Sequence, residues 1–249
     1  YSSVTSIGAK AFENCKNITE VSLTNKVGYL GEGAFENCKN LTSVTLTKVS
    51  LMGENSFNGC ESLKSASFGN LTVIPESAFK NCISLTTAYF STATAVENNA
   101  FYGCSALTAV SFPIAETIDN YSFYGCSALN SFAFTNVALI GDYAFSETGL
   151  ESIILPNATE FGEKVFYNST AVKSIEMPVA TTFDTLDFAG LPNVENLILP
   201  RVTEFAFNGG SFAEVFPKIK TLDNQNGVEE LPDGFLEGCS QFESGTFRY

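Results

Sequence analysis

Residues 78–90 read Ala78-Phe79-Lys80-Asn81-Cys82-Ile83-Ser84-Leu85-Thr86-Thr87-Ala88-Tyr89-Phe90. The stretch decides the fold because the chain keeps rewriting it as A-F-x-x-C-x-x-L-x-x-L-x-L with apolar substitutions. Its phenylalanine recurs as Phe12, Phe35, Phe57, Phe79, Phe101, Phe123, Phe145, Phe166, Phe188 and Phe212, with Leu236 in the last unit, at steps of 21–24 residues. A fixed period in this range is the signature of a solenoid of stacked repeats.

Inside each unit the next letters are equally regular. Six residues past the Phe stands Leu41, Leu63, Leu85, Leu107 or Leu129. Alternating apolar pairs follow, such as Val44 and Leu46, Val110 and Phe112, Phe132 and Phe134, Ile153 and Leu155, Ile175 and Met177, Leu197 and Leu199. Period-two alternation is that of a short strand with one face buried. Pro113, Pro156, Pro178 and Pro200 stand just past the strand, where no ladder N–H is needed. A second apolar position returns five residues before the Phe (Leu30, Met52, Ile74, Val96, Ile118, Ile140, Phe161, Phe183, Leu231), and a short helical turn is expected to lead into the Phe. No unit can bury its apolar face alone, but stacked copies make one core. Parallel strands about 4.8 Å apart predict a sheet roughly 50 Å long over eleven units.

The motif resembles the BspA-like, or Treponema-type, leucine-rich repeats; Val4–Leu23 and Leu30–Leu46 read like their consensus. The resemblance implies an α/β repeat fold, mostly β: a right-handed leucine-rich-repeat solenoid with a parallel concave sheet and about eleven repeats. Residues 1–249 are expected to form a single domain, with 1–205 regular and 206–249 degenerate, either capping the stack or truncated. The family also implies a secreted or cell-surface protein of host-associated bacteria or some protists, with adhesion to host proteins or to other cells where roles are known.

The chain carries net charge −14. Residues 1–141 hold seven Lys against ten acids, and residues 142–249 hold six Lys or Arg against 17 acids. Between Lys80 and Lys164 there is no basic residue. Such a surface repels phosphate backbones and anionic lipid, which excludes nucleic acid as a partner and disfavours membrane surfaces. No run of 18 apolar residues exists, so no membrane insertion by this segment is expected.

The motif cysteine falls at Cys15, Cys38, Cys60, Cys82, Cys104 and Cys126, is replaced by Thr148, Ser169, Leu191 and Val215, and returns as Cys239. A secreted chain invites disulfides. Equivalent positions in stacked units point the same way rather than at each other, so the six are read as a column of buried free thiols, with disulfides as the alternative. There is no His and no C-x-x-C, so zinc-site spacings, Ser-His pairs and Cys-His pairs are all absent. Glu229 and Glu230 are the nearest thing to a carboxylate pair, and adjacent acids in a turn are ordinarily solvated. No cofactor and no enzymatic activity are expected.

A binding site is sought on the sheet. Its outward positions, from Glu20 and Ser22 to Thr221 and Asp223, are mostly Ser and Thr. Tyr89, Ile154 and Ile198 place larger apolar bodies there, and Glu176 and Asp223 place charges. These five are the candidate ligand-binding residues for a protein partner. A second set, Tyr102, Tyr124 and Tyr167, follows the repeat Phe directly, with Tyr121 and Tyr143 two before it. They serve either a glycan or protein ligand or packing between units. A spacer without a ligand is the third reading. Asn-x-Ser/Thr at Asn17, Asn40, Asn70, Asn120, Asn157 and Asn168 reads as repeat lettering rather than glycan sites. Ligand identity and oligomeric state are not encoded legibly.

Overall fold

The computed structural model describes residues 3–22, 26–68, 70–132, 134–224 and 231–247. Among the described residues most turns of the chain contribute two strands to two parallel columns. One column is made of the triplets Glu20–Ser22, Ser43–Thr45, Ser65–Ser67, Thr87–Tyr89 and Ala109–Ser111, with Val21, Val44, Ala88 and Val110 turned inward. Ser152–Ile154, Ser174–Glu176, Asn196–Ile198 and the longer Thr221–Asn224 and Ser244–Phe247 continue that column. The returning segment is itself a strand: Ser6–Ile7, Tyr29–Leu30, Leu51–Met52 and their successors pair in parallel, the inner residue packed in the core. Both columns pair only in parallel, as one-way stacking requires.

The triplet ladder breaks between Ser43–Thr45 and Ser65–Ser67, and more widely between Ala109–Ser111 and Ser152–Ile154. Residues 130–132 lie outside the ladder. The central slot that Ala88, Val110 and Ile153 fill elsewhere is taken by Phe132, which stacks on Phe134 at 4.9 Å and on Phe145 at 5.1 Å. A ring in a position where neighbouring repeats carry a methyl or an aliphatic branch disfavours the regular triplet, although Asn130 still accepts the Glu151 N–H at 3.2 Å. The strand expected around Phe132 is therefore missing among the described residues; Ala133 lies outside them.

The expected helical turn before each Phe is also corrected. That segment is a pair of tight turns, with a left-handed residue two before and two after the Phe: Lys10 and Asn14, Asn55 and Gly59, Asn99 and Gly103, Tyr121 and Gly125. Only Phe212–Val215 is an α-helix among the described residues (α1), where the repeat lengthens; Ser211 and Glu214 close its first turn as a reciprocal capping box.

The core is a pile of rings. Phe12, Phe35, Phe57, Phe79, Phe101, Phe123, Phe145, Phe166 and Phe188 stack at centroid spacings of 5.1–5.7 Å. That spacing is one strand separation plus the offset that aromatic quadrupoles prefer. Phe12 itself is only half-buried, because Val4, Ile7, Phe12, Ile18 and Val21 line an open end of the core, a cavity of about 570 Å³. Phe188 hands the stack to Phe183, 4.7 Å away, and Phe212 sits tilted at 6.3 Å from Phe183. In the last turn Leu236 keeps the register between left-handed Gly234 and Gly238, but the deeply buried side chain is Phe235, 4.9 Å from Phe205.

Candidate binding surfaces

The thiol column is built into the repeat interfaces. Cys38, Cys60, Cys82, Cys104 and Cys126 are buried and free, and each donates its S–H to the carbonyl of the Phe one repeat earlier at 2.9–3.2 Å. Ser169 makes the same bond to Phe145 at 2.8 Å. Cys15, expected in the buried column, is half-exposed at the open end of the core. Burial pushes Cys60, Cys82 and Cys126 well above the ordinary thiol range and Cys104 up to about 12, so these sulfurs are inert packing groups. Among the described residues no group of three or more His, Cys, Asp or Glu gathers as metal ligands. Glu229 and Glu230 lie outside the described residues. No helix among the described residues is long and apolar enough to cross a membrane. The amides of Asn40, Asn70 and Asn157 donate to carbonyls of the preceding repeat, which makes them structural letters.

Four of the five sheet candidates fall in one line. Parallel register places Ile154 beside Glu176, Glu176 beside Ile198, and Ile198 beside Asp223. Ile154 and Ile198 are 52% and 40% exposed on a face otherwise made of short polar groups. Along one edge runs a second row, Glu151, Lys173, Glu195, Lys220 and Glu243, linked level to level by backbone hydrogen bonds. Its charges alternate in sign, and Lys220 meets Glu195 at 2.8 Å, holding that carboxyl below its usual range. Tyr89 does not join this line. It pairs in register with Ser67 and Ser111, on the other side of the interruption at Phe132.

The tyrosines come together into one lattice. Tyr102 stacks on Tyr124 at 5.0 Å and Tyr121 on Tyr143 at 5.1 Å; Tyr121 lies 6.0 Å from Tyr124, and Tyr167 meets Tyr143 edge-on at 6.5 Å. The chain's own lysines sit at the outer ends, Lys80 5.0 Å over Tyr102 and Lys164 5.7 Å from both Tyr143 and Tyr167. Tyr124 donates its hydroxyl to Glu147 at 2.7 Å, and this bond pushes the phenol up to about 12. Tyr121 and Tyr143 both have left-handed backbones, φ +58° and +53°. Other repeats place Lys, Asn, Ser or Gly there. An aromatic residue in that conformation costs about 1–2 kcal/mol, and such strain collects at functional surfaces.

Sequence reading missed a third surface. Tyr29 and Leu51 pair in register on the doublet column, and Leu51 is 63% exposed. With Val73, Glu32, Glu54 and Glu97 they line a groove of about 480 Å³. The signal was present as Leu51-Met52 and Val73-Ile74, two apolar residues in doublets that need one inside.

The geometry is matched by known proteins. A family model described as a BspA type leucine-rich repeat region matches residues 1–108, 94–209 and 159–248, in six copies. Among solved structures, a leucine-rich cell surface protein from Faecalibacterium prausnitzii superposes with TM-score 0.55 at 17% identity, over 98% of this chain and 83% of that one. A leucine-rich repeat protein from Bacteroides ovatus gives TM-score 0.51 at 22% identity over 98% and 76%. The leucine-rich repeat protein of T. pallidum gives 0.56 at 22% identity over 72% and 80%. At these identities the likeness is one of fold. A search of curated proteins found no match.

Proposed function

Since the chain belongs to the BspA-type leucine-rich-repeat family, we propose that it is a non-catalytic binding module at a bacterial cell surface, adhering to a protein of the host or of a neighbouring cell. The observation that carries this reading is the line Ile154–Glu176–Ile198–Asp223 on consecutive strands. Exposed aliphatic groups on alternate strands, with acids between them and an alternating charge row alongside, combine the apolar anchor and the electrostatic register of a protein interface. The absence of His from the chain removes the commonest general base and supports the non-catalytic part. The cell-surface part draws on the family and on the described nature of the F. prausnitzii relative.

The test is a binding screen of the chain against extracellular-matrix proteins, mucins and a glycan array, with Ile154→Ser/Ile198→Ser and Tyr89→Ala in parallel. Both sites are exposed, so the variants should keep their stability within about 0.5 kcal/mol. A protein ligand lost in the double variant and kept in Tyr89→Ala supports the reading. A ligand retained in both moves the site off this face, and no ligand leaves a spacer.

A further inference from the structure

The two tyrosine stacks are arranged head to tail, and each is covered by a lysine at one end only. In the first, Lys80 covers Tyr102, and Tyr102 covers one face of Tyr124. One repeat further on, the equivalent position is Ser146, a buried residue whose hydroxyl turns away to the Lys164 carbonyl at 2.9 Å. In the second stack Lys164 lies over Tyr143, and Tyr143 covers one face of Tyr121. One repeat earlier, the equivalent left-handed position is Asn99. Among the described residues no ring stacks on Tyr121 from the Asn99 side or on Tyr124 from the Ser146 side. Tyr121 is 37% exposed. Tyr121 thus keeps a face without a stacked ring toward the Asn99 level and Tyr124 one toward the Ser146 level, on two rings 6.0 Å apart.

The surroundings select what lies on them. Residues 81–163 contain eight acids and no base. Glu147 is held at the Tyr124 hydroxyl, and Asp142, whose backbone carbonyl accepts the Tyr121 N–H at 2.8 Å, directs its carboxylate to the Glu163 N–H at 2.9 Å on the following level. A sugar ring would find the same π faces, but without use for this charge. A cation finds both, and the chain already places its own ammonium groups on the other ends of the same stacks.

We propose that the Tyr121–Tyr124 pair, with Glu147 and Asp142, is a docking surface for a basic segment of a partner protein, its Lys or Arg side chains lying on the two free ring faces as Lys80 and Lys164 lie on the outer ones. The surface is separate from the sheet face discussed above and stands or falls independently of it.

The experiment uses the whole chain and three synthetic peptides of equal length: one rich in Lys and Arg, one with Glu in their place, one neutral. Binding is measured at about 50 and about 300 mM NaCl, between which the screening length shrinks about 2.5-fold. Tyr121→Asn and Tyr124→Ser install residues that neighbouring repeats already carry at those positions, so the fold is preserved, as circular dichroism checks. The basic peptide should bind, weaken at high salt, and lose about tenfold in affinity in the double variant. Ile154→Ser/Ile198→Ser should bind it as the parent does. Equal binding by the tyrosine double variant would reduce the effect to general acidity and overturn the proposal. So would absence of binding by the parent, loss in the sheet-face variant, or a glycan-array signal that disappears with the tyrosines while the peptide never binds.

Discussion

Cys60 donates its thiol hydrogen to the backbone carbonyl of Phe35, 3.1 Å away and one repeat earlier. Ser169 does the same to Phe145. The column therefore selects a small side chain with a donor, rather than sulfur as such. Cys82→Ser should cost less than Cys82→Ala, which loses both the bond and the contact volume, about 1–2 kcal/mol by urea denaturation. A larger cost for Ser than for Ala would show that the hydrogen bond adds nothing.

Thiol reactivity should split the seven cysteines in two. Cys15 and Cys239 are partly exposed, whereas Cys38, Cys60, Cys82, Cys104 and Cys126 are buried. Burial raises all five of the latter above the ordinary thiol range. Titration with a chromogenic disulfide reagent should register two fast thiols in the native protein and seven in denaturant.

Ring stacking gives the middle of the chain its cohesion. Phe101 is fully buried, with stacked neighbours at 5.3 Å and 5.2 Å. Phe101→Ala should cost about 3–5 kcal/mol. Phe12, half-buried with a stacked ring on one side only, should cost less than half of that in the same measurement.

One acid makes stability depend on pH near neutrality. Burial, then Asp184 and Glu163, push the Asp187 carboxyl up to about 7. In the unfolded chain it titrates near about 3.9. Between these values the native state holds more protons, so its contribution to stability is complete below about pH 4 and is lost as pH rises through about 7. Asp187→Asn should flatten this slope and stabilise the protein at pH 8 by about 1 kcal/mol after discounting for partial exposure. That corresponds to a Tm higher by about 2–4 °C; an unchanged slope between pH 5 and 8 would remove Asp187 from the account.

The fold was legible in the sequence because each repeat states the same two requirements, an inward residue on alternate strand positions and a ring after each return. Where reading failed, one residue overrode the period. Phe132 satisfies the apolar pattern yet is too large for its slot, and pattern does not measure volume. Phe235 outranks Leu236 because it supplies a ring where the register supplies an aliphatic chain. The paired turns were hidden behind helix-like spacing, although the recurrence of Asn and Gly two residues on either side of the Phe was a visible mark of left-handed backbone. As for the sites, strand register placed Ile154, Glu176, Ile198 and Asp223 in line once counting was exact. The tyrosine lattice needed ring orientation, which only three dimensions supply.

Most side-chain bonds between repeats run one way; Tyr124, Ser146 and Thr185, which donate forward to Glu147, Lys164 and Gly210, are exceptions. Cys38, Asn40 and Thr42 donate to Phe12, Lys16 and Thr19, and the later cysteines, Thr86, Thr108, Asn157 and Asn193 likewise reach back to the repeat before. The backbone N–H groups of Phe12 and Asn14 reach forward, to Ala34 and Glu36. An arriving repeat therefore brings side-chain donors, the buried thiols among them, whose acceptors already stand in the ordered repeat ahead of it, while the groups left for its successor are mostly backbone ones that water can serve meanwhile. The ribosome delivers repeats in this same order, N-terminal first. The array can thus be laid down like masonry during synthesis, each course seated on the last before the next emerges.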